Sequence, residues 1–211
     1  MELLPTTEPG RVGYSPTMGA YSLTVTVIPS TETDTGFISI LPPNRTTPDL
    51  PSITILAYQS RTKAKAAVGH REVFGWTRNR AIVPYSKNHD QDPKQLDKTK
   101  TINPHLTILR LDRVNEDGST SPMGAIHNFS IHGTVVPFAN NLYTSDSHGI
   151  AERYVCAWVK EKYGIQDFVY GLSQGTAGDI SPNWEKQDFD EGIRIGKGIA
   201  QHAFDLFCEL D

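Results

Sequence analysis

From Leu106 onward the apolar residues change their period three times, and that succession fixes the class of fold. Leu106 to Leu111 alternates apolar and polar positions, and so does Met123 to Ile131. A period of two puts one face of a strand into a core. Between the two runs, Asn115-Glu-Asp-Gly118 carries the residues of a turn, so 106–131 reads as a hairpin. Ser147 to Lys162 then places Ile150, Tyr154, Ala157 and Trp158 at helical spacing, with Ser145, Asp146 or Ser147 as its cap. Phe168 to Leu172 is a short apolar run of the kind found in buried strands. Phe189 to Leu210 returns to helical spacing, with Ile195, Ile199, Ala203 and Phe207 on one face. Strand, strand, helix, strand, helix predicts an α/β fold.

The first half adds strands of another kind. Tyr21 to Ile28 alternates Leu23, Val25 and Val27 against Ser22, Thr24 and Thr26. Gly36 to Leu41 repeats the pattern and is stopped by Pro42 and Pro43, and Ile53 to Tyr58 reads as a third short strand. The expectation is an α/β domain with a mixed β-sheet core, flanking helices and a β-rich N-terminal part. Residues 60–105 read as polar and irregular, with a charged surface loop from Ser86 to Lys100 that includes one helical turn. A long irregular segment of this kind is more often functional than idle. The 211 residues are enough for one domain with a core of its own.

Composition removes several function classes. The net charge is −4 with no cluster of Lys or Arg, which disfavours nucleic acids and anionic membrane surfaces as partners. Neither GxxxxGK[ST] nor GxGxxG is present, so a nucleotide site has no support. There is no 18-residue apolar run for a membrane span and no basic-then-apolar start for a signal peptide. The two cysteines, Cys156 and Cys208, are expected to be free thiols in helices.

Three polar clusters stand at the ends of apolar runs, where α/β proteins place their sites. The first is Gly124 to Thr134, which ends in His132-Gly133-Thr134. A histidine at a strand end offers a ring nitrogen to a metal, and the glycine beside it leaves room for a ligand. His127 lies five residues earlier, so on a strand it faces the other way and is no partner for His132. The second cluster, Asn140 to Gly149, places amide and carboxylate groups at a loop-to-helix junction, where Asp146 is expected to cap. The third is Gly175 to Asn183, in which Ser181 precedes Pro182 and is thereby held out of the α region. Upstream, Arg80 follows Phe74 and Trp76 and has the geometry to clamp a carbonyl or an anion. Each has a plain structural explanation when taken alone.

Together and in order, these pieces resemble the neutral/alkaline, non-lysosomal ceramidases. The residues that carry the resemblance are Asn-Phe-Ser-Ile-His-Gly-Thr (128–134), Asn-Asn-Leu-Tyr-Thr-Ser-Asp-Ser-His-Gly (140–149), Gly-Asp-Ile-Ser-Pro-Asn (178–183) and Arg78-Asn-Arg-Ala. It covers about residues 70–205, and 1–65 has no such match. The resemblance implies one catalytic-domain segment over 1–211. It implies a zinc-dependent amidase that cleaves the N-acyl bond of ceramide to sphingosine and a fatty acid. His132 then stands at a zinc-ligand position, Ser181 at the catalytic serine and Arg80 near the substrate. Ser181 acts as nucleophile, or orients the substrate beside a zinc-activated water. The family's first zinc ligand lies in an upstream Thr-His-x-His-Ser-type segment, and a Glu and a Tyr ligand lie beyond the serine motif. This sequence contains none of the three, so the rest of the family's chain is an implied partner. A secreted or membrane-surface location is implied by the resemblance alone. Two alternatives stay open. One is a degenerate domain that binds lipid or packs in an assembly without catalysis. The other is a metal-free serine amidase with His132 or His148 as base.

Overall fold

The computed structural model describes residues 37–38, 55, 58–90, 92, 96–142 and 144–211. In them the chain runs β1 (Phe37–Ile38), β2 (Thr62–Glu72), β3 (Thr77–Asn79), α1 (Ile82–Tyr85), β4 (His105–Val114) and β5 (Thr120–Phe129). It continues through α2 (Asp146–Tyr163), β6 (Val169–Gln174), β7 (Ile180–Pro182) and α3 (Phe189–Glu209). Five strands form one sheet in the order β1-β2-β4-β5-β6, and β3 pairs with β7 in a separate ribbon. All pairs in the large sheet are antiparallel except β5 with β6, so the sheet is mixed, as expected.

The hairpin, both long helices and the strand after α2 lie where periodicity puts them. Two expectations fail. Ile53 to Tyr58 is no strand at its described positions, because Ile55 and Tyr58 are helical. Their three-residue spacing suits a helix face, and so short an apolar run cannot by itself separate the two periods. Residues 60–105 are not irregular throughout, because β2 occupies eleven of them. The helical turn of this segment is α1, just before the charged loop. The strand Tyr21 to Ile28 lies outside the described residues, as does most of Gly36 to Leu41.

α2 and α3 pack on each other and on one face of the sheet. Ile108, Ala125, Phe129 and Tyr170 from the strands share one buried cluster with Ala151, Val155 and Val159 of α2 and Ile195, Ile199, Ala203 and Phe207 of α3. Ala64, Leu111 and Met123 form a smaller cluster of their own. Cys156 and Cys208 are free thiols, and burial pushes the Cys156 thiol up to about 12. Among the described residues no helix is long and apolar enough to cross a membrane.

Two polar groups inside this core are informative. Arg110 on β4 is 1% exposed. Its Nε donates to both oxygens of Asp112 at 3.0 and 3.1 Å. Nη1 donates to the Phe207 carbonyl at 2.9 Å and Nη2 to Asp211 at 2.7 Å. Phe207 lies in the last turn of α3, where its carbonyl otherwise receives only a long 3.4 Å bond from the Leu210 N–H. The guanidinium therefore caps the helix and rivets it to the sheet. Burial alone would lower its pKa, but Asp112 and Asp211 reverse the effect and raise it. On β5, His127 is fully buried with its Nδ1 on the Tyr170 hydroxyl and its Nε2 without a partner among the described residues. Desolvation, with a smaller contribution from His148, lowers its pKa to about 3.

Arg110→Ala should strip three acceptors of their buried donor and cost on the order of 3 kcal/mol, read from urea unfolding followed by far-UV circular dichroism. Arg110→Met should cost clearly less, and equal losses would mean that the ion pairs are incidental. His127 makes a second expectation. It binds a proton near pH 6.5 when unfolded and only near pH 3 when folded. Between those values the unfolded chain holds more protons, so stability falls as pH is lowered and the contribution is fully present above pH 6.5. The slope of unfolding free energy against pH from 6 to 4 should shrink in His127→Gln by up to about 1.4 kcal/mol per pH unit. An unchanged slope would show that His127 charges freely in the fold.

Candidate functional site

β5 and β6 are parallel and α2 crosses between them, so both strands leave the sheet at the same edge. The segments that follow carry His132 and, in β7, Ser181. β5 ends at Phe129, two residues earlier than the alternation to Ile131 suggests. The reason lies in Gln174 at the tip of β6. Its side chain takes over the ladder, accepting from the Ile131 N–H at 3.1 Å and donating to the Ile131 carbonyl at 2.5 Å. Gly175 then donates to the Phe129 carbonyl at 3.0 Å. A Cβ at Gly175 would clash with Ser130 Oγ, so the close approach of this loop to β5 requires glycine.

His132 and Ser181 are tied together through Ile180. The Ile180 carbonyl accepts from the His132 backbone N–H at 3.3 Å and from His132 Nδ1 at 2.8 Å. A carbonyl only accepts, so Nδ1 carries a proton, and in the neutral ring Nε2 is the nitrogen with the free lone pair. This is how a metal-ligating histidine is usually oriented. Ser181 follows Ile180 in β7, is 7% exposed, and among the described residues has only a long 3.5 Å contact from Oγ to the Pro182 carbonyl. Its register partner is Arg78 in β3, while Asn79 stands opposite Ile180.

The turn after His132 is held by Asp146. One carboxylate oxygen accepts from Val135 N–H at 3.0 Å and Val136 N–H at 2.9 Å, and the other from Ser147 N–H at 2.7 Å. The expected helix cap is thus a staple between two segments: Ser145 is the N-cap residue, with no side-chain cap bond. Asp146 takes a left-handed φ of 50°, a conformation that Asp and Asn tolerate better than other residues with a Cβ. A Cβ on Gly133 would lie 3.5 Å from Asp146 Cβ and 3.7 Å from His148 Nδ1. Asp146 and His148 therefore border the space beside the glycine, which has room for a methyl group. Burial holds His148 below its ordinary pKa, while Asp146 and a hydrogen bond to the Ile131 carbonyl pull the other way. His127 points into the core and is no partner for His132 here.

Arg80 does clamp a carbonyl, and that carbonyl belongs to the chain itself. Its Nε and Nη2 reach the Gly178 oxygen at 3.3 and 3.0 Å. Its backbone N–H also meets the Asp179 carbonyl at 2.7 Å. Arg80 thus shapes the loop before Ser181 and stays exposed. Asn79 and Asn103 escaped the reading of the sequence. Asn79 is 2% exposed, donates to Asp179 Oδ2 at 2.9 Å and to the Thr101 carbonyl at 2.8 Å, and accepts from Ala81 N–H. Asn103 donates to Ser130 and Thr176 hydroxyls and so bridges both site loops. The signal for Asn79 was an Asn two residues before a turn amide. Asn103 had none beyond its place before Pro104. The Asn140 side chain is spent locally on Leu142.

A family described as neutral/alkaline non-lysosomal ceramidase, N-terminal, matches residues 50–194. The neutral ceramidase of Mycobacterium tuberculosis is 27% identical over 163 residues, covering 70% of this chain and 24% of that protein. The neutral ceramidase of Pseudomonas aeruginosa is 31% identical over 142 residues, covering 67% and 18% respectively. The crystal structure of the Pseudomonas aeruginosa enzyme aligns with a TM-score of 0.55 at 25% identity, over 74% of this chain and 24% of that one. The chain spans less than a quarter of the length of these relatives.

Asp146→Ala should leave the buried Val135 amide and its neighbour unpaired, at a cost of about 2–4 kcal/mol. Asp146→Asn keeps an acceptor and should cost about 1 kcal/mol. Amide hydrogen exchange reads the cause: protection at Val135 and Val136 should vanish in Asp146→Ala and survive in Asp146→Asn. Retained protection in the alanine variant would show that the turn stands without the staple.

Proposed function

This chain belongs to the neutral/alkaline non-lysosomal ceramidase family, and on that premise we propose that its site serves hydrolysis of the N-acyl bond of ceramide. The acyl C–N bond breaks, the oxygen of water joins the acyl carbon, and the amine leaves as sphingosine. The observation that carries the reading is the Ile180 carbonyl, which fixes the His132 ring beside the residue that precedes Ser181. In this reading His132 Nε2 is a zinc donor, Ser181 orients the reacting amide and Arg80 shapes the loop that receives it.

The donor chemistry of His132 suits zinc, since its Nδ1–H is spent on a carbonyl and its Nε2 is left to coordinate. When bound, zinc supplies Lewis acidity to the acyl carbonyl and makes water acidic enough to attack near neutral pH. A catalytic zinc takes about three protein ligands. Among the described residues no three His, Cys, Asp or Glu side chains gather to hold an ion, so the remaining donors belong to the rest of the family's architecture. A secreted or membrane-surface setting follows from the same reading. The missing donors also favour a second reading, a ceramidase-like module that holds lipid without cleaving it.

Zinc content by mass spectrometry, run beside sphingosine release from ceramide, separates the readings. The first expects stoichiometric zinc that is lost in His132→Ala, and a drop in turnover on the order of a thousandfold in Ser181→Ala. A chain without zinc or turnover that still retains ceramide vesicles would support the second. Turnover that survives a chelator would favour a serine amidase with His132 or His148 as base.

A further inference from the structure

Arg78 stands directly opposite Ser181 in the β3–β7 ribbon. Directly opposed residues send their side chains to the same face, with Cβ atoms about 5 Å apart. The other face carries Thr77 and Asn79, which are 0% and 2% exposed, with Ile180 and Pro182 opposite them. Arg78 and Ser181 therefore share the less buried face. The Arg78 guanidinium lies 4.2 Å over the Trp184 ring, and its Nη1 donates to the Trp184 carbonyl at 3.1 Å. That is one of the five N–H groups of an arginine. Among the described residues no carboxylate pairs with Arg78. The Ser181 hydroxyl on the same face is a neutral group and supplies no countercharge. Asp179 Oδ2 accepts from Asn79. Trp184 Nε1 is a buried donor with no acceptor among the described residues. Among the described residues Arg80, two residues on, also has no carboxylate partner, and its Nε and Nη2 bonds to Gly178 leave Nη1 without one there.

A half-buried guanidinium over an indole, with a second arginine two residues on, is short of an anion. Arg110 in the same protein shows the alternative, with two carboxylates and a helix carbonyl on one head group. We infer that Arg78 is a further ligand-binding residue of this site, and that with Arg80 it takes the carboxylate of an acyl-chain ligand, the product that amide cleavage releases. A planar guanidinium pairs with a carboxylate through two parallel N–H bonds, which neutral amides cannot match. The inference rests on the hydrolase reading for the source of the carboxylate, but its test needs no turnover.

The probe is octanoate, titrated into the full chain below its micelle concentration. Octanamide and inorganic phosphate serve as controls, and binding is read by tryptophan fluorescence and calorimetry. Stacking of Arg78 on Trp184 makes the indole a reporter. Saturable binding of octanoate is expected, about tenfold tighter or more than octanamide, and weakened about tenfold or more in Arg78→Met. Arg78→Lys should fall between, because it keeps the charge and loses the fork; it also carries the test if Arg78→Met does not fold. Equal binding of octanoate and octanamide, or binding unchanged in both Arg78 variants, overturns the inference. Phosphate competing as well as octanoate overturns the acyl-carboxylate assignment. Ceramide turnover without Arg78-dependent octanoate binding removes this inference and leaves the hydrolase reading. Arg78-dependent binding without turnover removes only the hydrolase reading.

Discussion

The site depends on one topological constraint, the parallel pairing of β5 and β6 through α2. In an otherwise antiparallel sheet this crossover brings two strand ends to the same edge. Loops after parallel strands meet at their carboxyl ends, which is where α/β proteins place ligands. Gln174 extends the pairing past β5, Asp146 pins the turn beyond His132 to the start of α2, and the Ile180 carbonyl joins the two loops. Had β6 run antiparallel to β5, Gln174 would stand at the far end of the sheet and none of these contacts would exist.

The same chain treats two arginines in opposite ways. Arg110 is buried, and its charge is neutralised by Asp112 and Asp211, so it acts as part of the core. Arg78 is only half-buried, spends one N–H on a carbonyl and rests on an aromatic ring. Their flanks differ, Leu-Arg-Leu for one and Thr-Arg-Asn for the other. Register decides what each side chain meets. Arg110 faces α3 across the sheet, whereas Arg78 faces out beside Ser181.

What could be read from the sequence follows from how local each cause is. β4, β5, α2, β6 and α3 all contribute apolar residues to the core, and their periods showed them to within three residues. β2 did not show, because Thr-Lys-Ala-Lys-Ala-Ala-Val-Gly-His-Arg-Glu buries only Ala64 and its apolar residues are mostly small alanines. Its place is set by pairing with β1 and β4 and by Gly69, which lets Leu206 and Leu210 of the closing helix approach. β3 and β7 are three residues each and about a hundred apart, so nothing local announces them. At the site, His132 and Ser181 were visible as residue types, and their order pointed to a family. The link between them through Ile180, the Asp146 staple and the Asn79 and Asn103 bridges are products of tertiary structure alone.

The Ile180 carbonyl also bears on the order of events during folding. It joins residues 132 and 180, and the parallel pair beneath it closes a loop through the whole of α2. The β4–β5 hairpin closes through the short turn at Asn115–Ser119 and needs no such loop. Local closures are fast, and non-local ones must first meet the entropy of the chain between them. Hairpin formation therefore precedes assembly of the site, and His132 acquires its fixed ring orientation only when β6 and β7 dock. A chain emerging from a ribosome carries every residue of the His132 loop some fifty residues before the carbonyl that orients it exists.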